Sequence, residues 1–234
     1  MRDSLPPRFS VKPPELFRVE YNDPYASHQF SRQLQKLMSF FSPFKEVVCV
    51  SIGTDRSTGD ALGPLVGSLL EKDLPDFLSV YGTLDAPVHA LNLEQTLLKI
   101  SQDHPHALIL GVDACLGQMK NVGWIQAGPG PVKPGAGVHK KLPEVGQIHI
   151  TGIVNVAGFM EYFVLQNTRL NLVMKMAELI SSSIRQAVYK LSKEQKDEFK
   201  TIKKAPVSGA LDNRTGGLPG AEKIQQSGTS HNHT

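Results

Sequence analysis

Cysteine is scarce in this chain: Cys49 and Cys115 are the two present, and no CxxC spacing exists. That excludes a zinc ribbon and a dithiol redox motif. Both lie in apolar stretches, so the expectation is two buried free thiols in a reducing compartment. Long hydrophobic runs are also missing. No segment approaches the ~20 apolar residues that span a bilayer. The first residues, Met1 to Arg18, carry prolines and charges but no apolar core of a secretory signal, so the cytoplasm is the expected compartment. A one-signed charge is lacking as well, with 25 Lys and Arg against 22 Asp and Glu. The lysines between Lys190 and Lys204 alternate with Glu194, Asp197 and Glu198, the pattern of a solvated helix face, and neither a nucleic acid nor a membrane is expected as partner. There is no internal repeat.

At 234 residues the chain can bury one sizeable core. Residues 1–25 hold Pro6, Pro7, Pro13, Pro14 and Pro24 and read as an irregular lead-in. One α/β domain is expected over 26–192. It begins with a helix from His28 to Phe41, where Phe30, Leu34, Leu37, Met38 and Phe41 fall at helical spacing. Glu46 to Ile52 is a short valine-rich run of the kind buried on both faces of a sheet. Helices are expected at Asp60–Leu74, Leu91–Gln102, Phe159–Gln166 and Asn171–Leu191, and further strands at Phe77–Tyr81, Ala107–Val112, Val122–Ala127 and Gln147–Ile153. Such alternation means a largely parallel sheet covered on both sides. From about Ala205 the chain turns to Gly, Pro, Ser, Thr and Asn, which cannot offset its ordering entropy, so the segment 205–234 is expected to be a disordered tail. His231 and His233 within it are poor metal ligands.

In such sheets ligands bind beyond the carboxyl ends of the strands. Two of these ends carry chemistry. The first is GTDRSTGDALGP, Gly53 to Pro64, with Asp60 at the start of the next helix. Asp60 alone reads first as a helix N-cap, which Asp favours for local reasons. The loop is not a Walker A motif, because Asp60 and Ala61 follow Gly59 where Lys and Ser or Thr are needed, and it lacks the GxGxxG pattern. The second is VDACLG, Val112 to Gly117, in which Asp113 closes an apolar strand. A carboxylate there needs partners. Strands one and three of such a fold are often neighbours, which puts Asp60 and Asp113 at one edge. Two carboxylates sharing a site split their pKa values and supply a general acid and a general base. Asp55 is a third candidate, or a turn residue. Asn155, after the last strand, reaches the same rim. His149 reads as a satisfied core histidine. The Gly/Pro-rich stretch Gly128–Gly146, with Lys133, His139, Lys140 and Lys141, is either a lid or a stiff crossover.

GTDRSTGDALGP, YGTLDAPVHALNLEQTL, VDACLG and ITGIVNVAGFMEYFVLQ together resemble the YyaC family of sporulation proteins. That family is similar to the germination protease of spores and, more distantly, to the hydrogenase maturation endopeptidases. The resemblance implies a three-layer α/β/α sandwich with a mostly parallel sheet, and an endospore-forming source, in the cytoplasm of forespore or mother cell. It implies a peptidase acting on a spore protein or peptide, with Asp60 and Asp113 as catalytic residues and Asp55 and Asn155 at the rim. The maturation endopeptidases bind nickel through two acidic residues and a histidine; here Asn155 stands near the histidine position, which counts against nickel. No metal or other cofactor is expected. A non-catalytic relative that binds a peptide or protein partner in the same cleft is the alternative. Substrate identity and oligomeric state are not legible.

Overall fold

The computed structural model describes residues 14–135 and 142–204. The expected tail, the start of the lead-in, and His139, Lys140 and Lys141 lie outside the described residues. In chain order the strands are Phe17–Glu20 (β1), Glu46–Ser51 (β2), Leu78–Tyr81 (β3), Ala107–Gly117 (β4), Trp124–Pro129 (β5) and Ile148–Val156 (β6). The helices are Ala26–Phe40 (α1), Leu62–Glu71 (α2), Leu93–Asp103 (α3), Glu161–Gln166 (α4) and Leu170–Lys204 (α5). All strands join one sheet in the order β1-β5-β6-β4-β2-β3. The pairs β2–β3, β2–β4 and β4–β6 are parallel, whereas β5–β6 and β1–β5 are antiparallel. The fold is therefore α/β with a mostly parallel sheet, as expected, and carries an antiparallel margin.

The β-branched residues of β2 have no solvent exposure on either face, which is what a central parallel strand requires. On one face Val47, Cys49, Leu108, Leu110, Val112, Ile148 and Ile150 meet α1, α2 and α5 in a large apolar core. Phe30, Leu34, Leu37 and Met38 of α1 are fully buried in it. Each contributes about 1.5–3 kcal/mol of transfer free energy. On the other face Val48, Val50 and Ile52 meet Leu93 and Ile100 of α3, with Val88, Val132 and Val145, in a smaller core. Helix layers on both sides of the sheet make three layers.

Three expectations are corrected. The lead-in is not wholly irregular, because β1 lies within it and pairs with β5; with Val19 its one buried apolar residue, it leaves no periodic signal. Asp113 does not close its strand, since β4 runs on to Gly117, supported there by β6. The helix expected from Asp60 starts at Leu62 and ends at Glu71. The stretch Gly128–Gly146 is anchored as a crossover in its described parts. Val132 and Val145 bridge to one another, are buried, and pack on Gly111 of β4. Cys115 is partly exposed, in contrast to Cys49.

Candidate active site

Side chains of β4 alternate between the two faces. Leu110 and Val112 enter the large core, so Asp113 and Cys115 point to the α3 face, as Gly111 does. The last β2–β4 pair is Ser51 with Val112. Asp113 is thus the first β4 residue beyond the carboxyl end of β2, still held in register opposite Thr151 of β6. The loop after β2 turns back over this point. Thr54 N–H donates to the Asp60 carbonyl at 3.2 Å. Gly53, at φ +147°, is what allows this, since a Cβ there would meet that carbonyl oxygen at 1.9 Å. Asp60 is not a helix cap: the capping position is Ala61, and no side chain caps the helix.

Asp60 and Asp113, distant in sequence, come close enough for their charges to interact. Desolvation raises the pKa of Asp60, and the nearby Ser57 hydroxyl offsets part of the rise. Desolvation likewise pushes Asp113 up to about 8; the Ala114 N–H lowers it, and the Asp60 charge raises it further. The Ala114 N–H donates to Asp113 Oδ1 at 2.8 Å. Densely packed neighbours surround Asp113, yet it keeps some accessible surface, so it is crowded without being sealed. Desolvation is the main cause at both carboxyls, and Asp113 is the stronger proton holder. Beside them, desolvation raises Cys115 to about 11, which leaves it a thiol and a poor nucleophile.

The other two candidates do not join the pair. Asp55 is exposed and lines a shallow cleft of about 250 Å³ with Thr54, Arg56, Pro87, His89 and Leu91. That cleft shares Pro87 and His89 with one of about 420 Å³ between α3 and the segment Val80–Val88. Asn155 sits at the rim, but its amide is committed to α4 and the start of α5. Its Nδ2 donates to the Val164 carbonyl and to Thr168 Oγ1, both at 3.2 Å. The Leu165 carbonyl in turn accepts the Gly59 N–H at 2.9 Å. A Cβ on Gly59 would meet Leu165 Cδ2 at 2.8 Å. Asn155 therefore braces the helix against which the Asp60 loop rests. His149 is partly buried, with Nδ1 3.3 Å from the Gly130 carbonyl.

Sequence reasoning missed Ser57 and Thr151. The Ser57 hydroxyl is a hydrogen-bond partner of the Asp60 carboxyl and the Thr151 hydroxyl of the Cys115 thiol, each lowering its neighbour's pKa against the effect of burial. Thr151 was traceable only through strand register, and Ser57 looked like any polar loop residue. Among the described residues no group of three or more His, Cys, Asp or Glu side chains is placed to hold a metal ion. Among them, too, no helix is long and apolar enough to cross a membrane.

Residues 18–183 match the model of a family described as "Protein of unknown function (DUF1256)". The chain belongs to this family. The match spans Ser57, Asp60, Asp113, Thr151 and Asn155. This DUF1256 chain is also 53% identical over 166 residues to the "Uncharacterized protein YyaC" of Bacillus subtilis (strain 168), covering 68% of this chain and 81% of that protein. Among solved structures it is similar to the NiFe hydrogenase maturation protease HycI from Thermococcus kodakarensis KOD1. That likeness has 18% identity and a TM-score of 0.44, over 66% of this chain and 99% of the other. At that level it carries no argument about the site.

Proposed function

We propose that this protein is a sporulation-associated peptidase that hydrolyses a spore protein or peptide by acid–base activation of water at Asp60 and Asp113. The observation that carries the reading is the convergence of these two carboxyls, from the loop after β2 and from β4, with both pKa values raised and Asp113 the higher. Structural carboxylates are usually paired with cations; here Asp113 has an acid, Asp60, as its charged neighbour, and catalytic pairs are built from such neighbours. Near neutral pH Asp60 is the member that ionises and Asp113 the member that keeps its proton. Asp60 takes a proton from water as the water oxygen attacks the scissile carbonyl carbon, and Asp113 gives its proton to the carbonyl oxygen. The C–N bond then breaks. The amine leaves with the proton Asp60 took, and the hydroxyl proton of the intermediate returns to Asp113.

The test is incubation of the purified chain with spore-core extract, followed by a search for new peptide termini. New termini that depend on both aspartates support the peptidase; their absence under all conditions tried removes it. One feature favours a second reading, a sporulation protein that binds a peptide or protein without cutting it. Beside the Asp60 loop, α4 and the residues just before it expose Phe159, Met160, Tyr162 and Phe163 to solvent. Retention of a spore protein by the chain, unchanged in Asp60→Asn and Asp113→Asn and with no new termini, would decide for the binder.

A further inference from the structure

The stretch Gly158–Gln166, GFMEYFVLQ, carries one charged residue, Glu161, and is otherwise apolar or neutral. It follows β6 and rests against the Asp60 loop, where the Leu165 carbonyl accepts the Gly59 N–H. Helix α4 turns Val164 and Leu165 inward, and Leu165 packs on the large core. Its other side faces solvent. Phe159 is 88% exposed, Met160 58%, Tyr162 68% and Phe163 56%. With 3.6 residues per turn, Tyr162 and Phe163 share the outer side of α4, while Phe159 and Met160 lie at its N-terminal end. Apolar surface is driven out of water, and four such side chains in five positions form a contiguous patch of the kind that marks an interaction site. Met160 adds a second sign. It is the one non-glycine residue at positive φ among the described residues, held at φ 56° and ψ 47°, a region that disfavours a side chain. Strained backbone of this kind gathers at binding sites.

We infer that this patch is the interface between two copies of the chain, related by a two-fold axis that sets α4 against α4. Two observations select a second copy as the occupant. The first is area. The three exposed rings offer roughly 300–500 Å² of apolar surface. One side of a standard interface covers about 800 Å², a little over half of it apolar, so the patch supplies what a stable dimer needs. The second is charge. A two-fold axis sets like against like, so a surface that meets itself must keep charge away from its centre. Glu161 is half-buried, and its Oε1 accepts the Gly158 N–H of its own turn at 3.4 Å. Exposed Gln166, Asn167 and Arg169 follow the patch and supply the polar rim of an interface. A foreign partner is usually selected by complementary charge, and the centre of this face offers none. The inference goes beyond the peptidase reading and does not rest on it. With a second copy seated there, the face is closed to a spore protein.

The test is the mass of the full chain in solution. Sedimentation velocity at micromolar concentrations is expected to show a species of twice the chain mass. Tyr162→Glu and Phe163→Glu, both at exposed positions, are each expected to weaken association at least about tenfold and to sediment as monomers, with circular dichroism unchanged. Leu98→Glu, on α3 and 61% exposed, is expected to stay dimeric, which separates the patch from a general effect of added charge. A parent that is monomeric throughout that range would overturn the inference. So would a dimer that survives both patch variants. A monomer that retains a spore protein through Tyr162 and Phe163 overturns it too, and assigns the face to the binder. No measurement of mass uses a substrate, so a parent that cuts nothing removes the peptidase reading and leaves the dimer standing.

Discussion

The two faces of the sheet are built differently. One is covered by α1, α2 and α5, and its core contains most of the largest buried side chains, including Phe30, Leu34, Leu110 and Ile150. The other is covered by α3 and the Val132–Val145 bridge, with a small core of mostly valines. Asp113, whose carboxyl is raised to about 8, belongs to the second region. Asp113 points from β4 to that face, and the clefts open along it toward α3. The heavily packed face supplies the stability that lets the thin face hold a desolvated carboxyl at Asp113. Sites that trade stability for function need such a reserve.

The sharpest test of this division is on activity. Asp60→Asn and Asp113→Asn keep side-chain shape while removing the titratable group. Each is expected to lower cleavage of a proven spore substrate by about 10³-fold, with circular dichroism unchanged. Full activity in both would break the catalytic assignment of the two acids. On the thick face, Phe30→Ala is expected to cost about 3–5 kcal/mol in denaturant unfolding. Val132→Ala, opposite, is expected to cost about 2 kcal/mol, since it removes roughly two methyl equivalents. Equal losses would mean that the two cores contribute alike.

A third test uses pH. Because the folded pKa of Asp113 lies above its unfolded value, near 4, the native state holds a proton there that the unfolded chain releases. Stability from this group is fully present below pH ~4 and is lost as pH rises through about 8. Asp113→Asn has no such proton to lose. Its melting temperature is expected to gain on the parent between pH 4 and pH 8, by on the order of 5 °C. A constant difference across that range would show that Asp113 is not strained in the folded state. If the parent is active, its rate is expected to fall as Asp113 loses its proton, with apparent pKa values that belong to the pair.

The smallest effect is expected at Asn155. Removing its amide in Asn155→Ala frees Val164 and Thr168 from one brace. Amide exchange at Gly59, which is tied to Leu165, is expected to speed up while global stability falls by about 1 kcal/mol. Unchanged exchange at Gly59 would separate α4 from the positioning of Asp60.

Much of the frame is readable from residues alone, for reasons that are local. Valine-rich runs such as Glu46–Ser51 have no other stable use than a doubly covered strand, and the spacing of Phe30, Leu34, Leu37 and Met38 dictates a helix with one buried side. The pairing of Asp60 with Asp113 follows from the same alternation, because it makes the first and third parallel strands neighbours. Strand ends were misplaced at Asp113 and Asn155 because β6 continues to support β4 after β2 has ended, and that support comes from residues far along the chain.

The sequence by itself determined the α/β layering, the parallel core of the sheet and which two acids lie at its carboxyl edge, since periodicity and strand-end chemistry are properties of contiguous residues. Only the tertiary structure decided which face Asp113 sees, that it is raised to about 8, and that Ser57 serves the Asp60 carboxyl. It also showed that Asn155 serves α4 before it serves any ligand. Those outcomes depend on desolvation and on hydrogen-bond geometry between segments distant in sequence, and no local pattern encodes either.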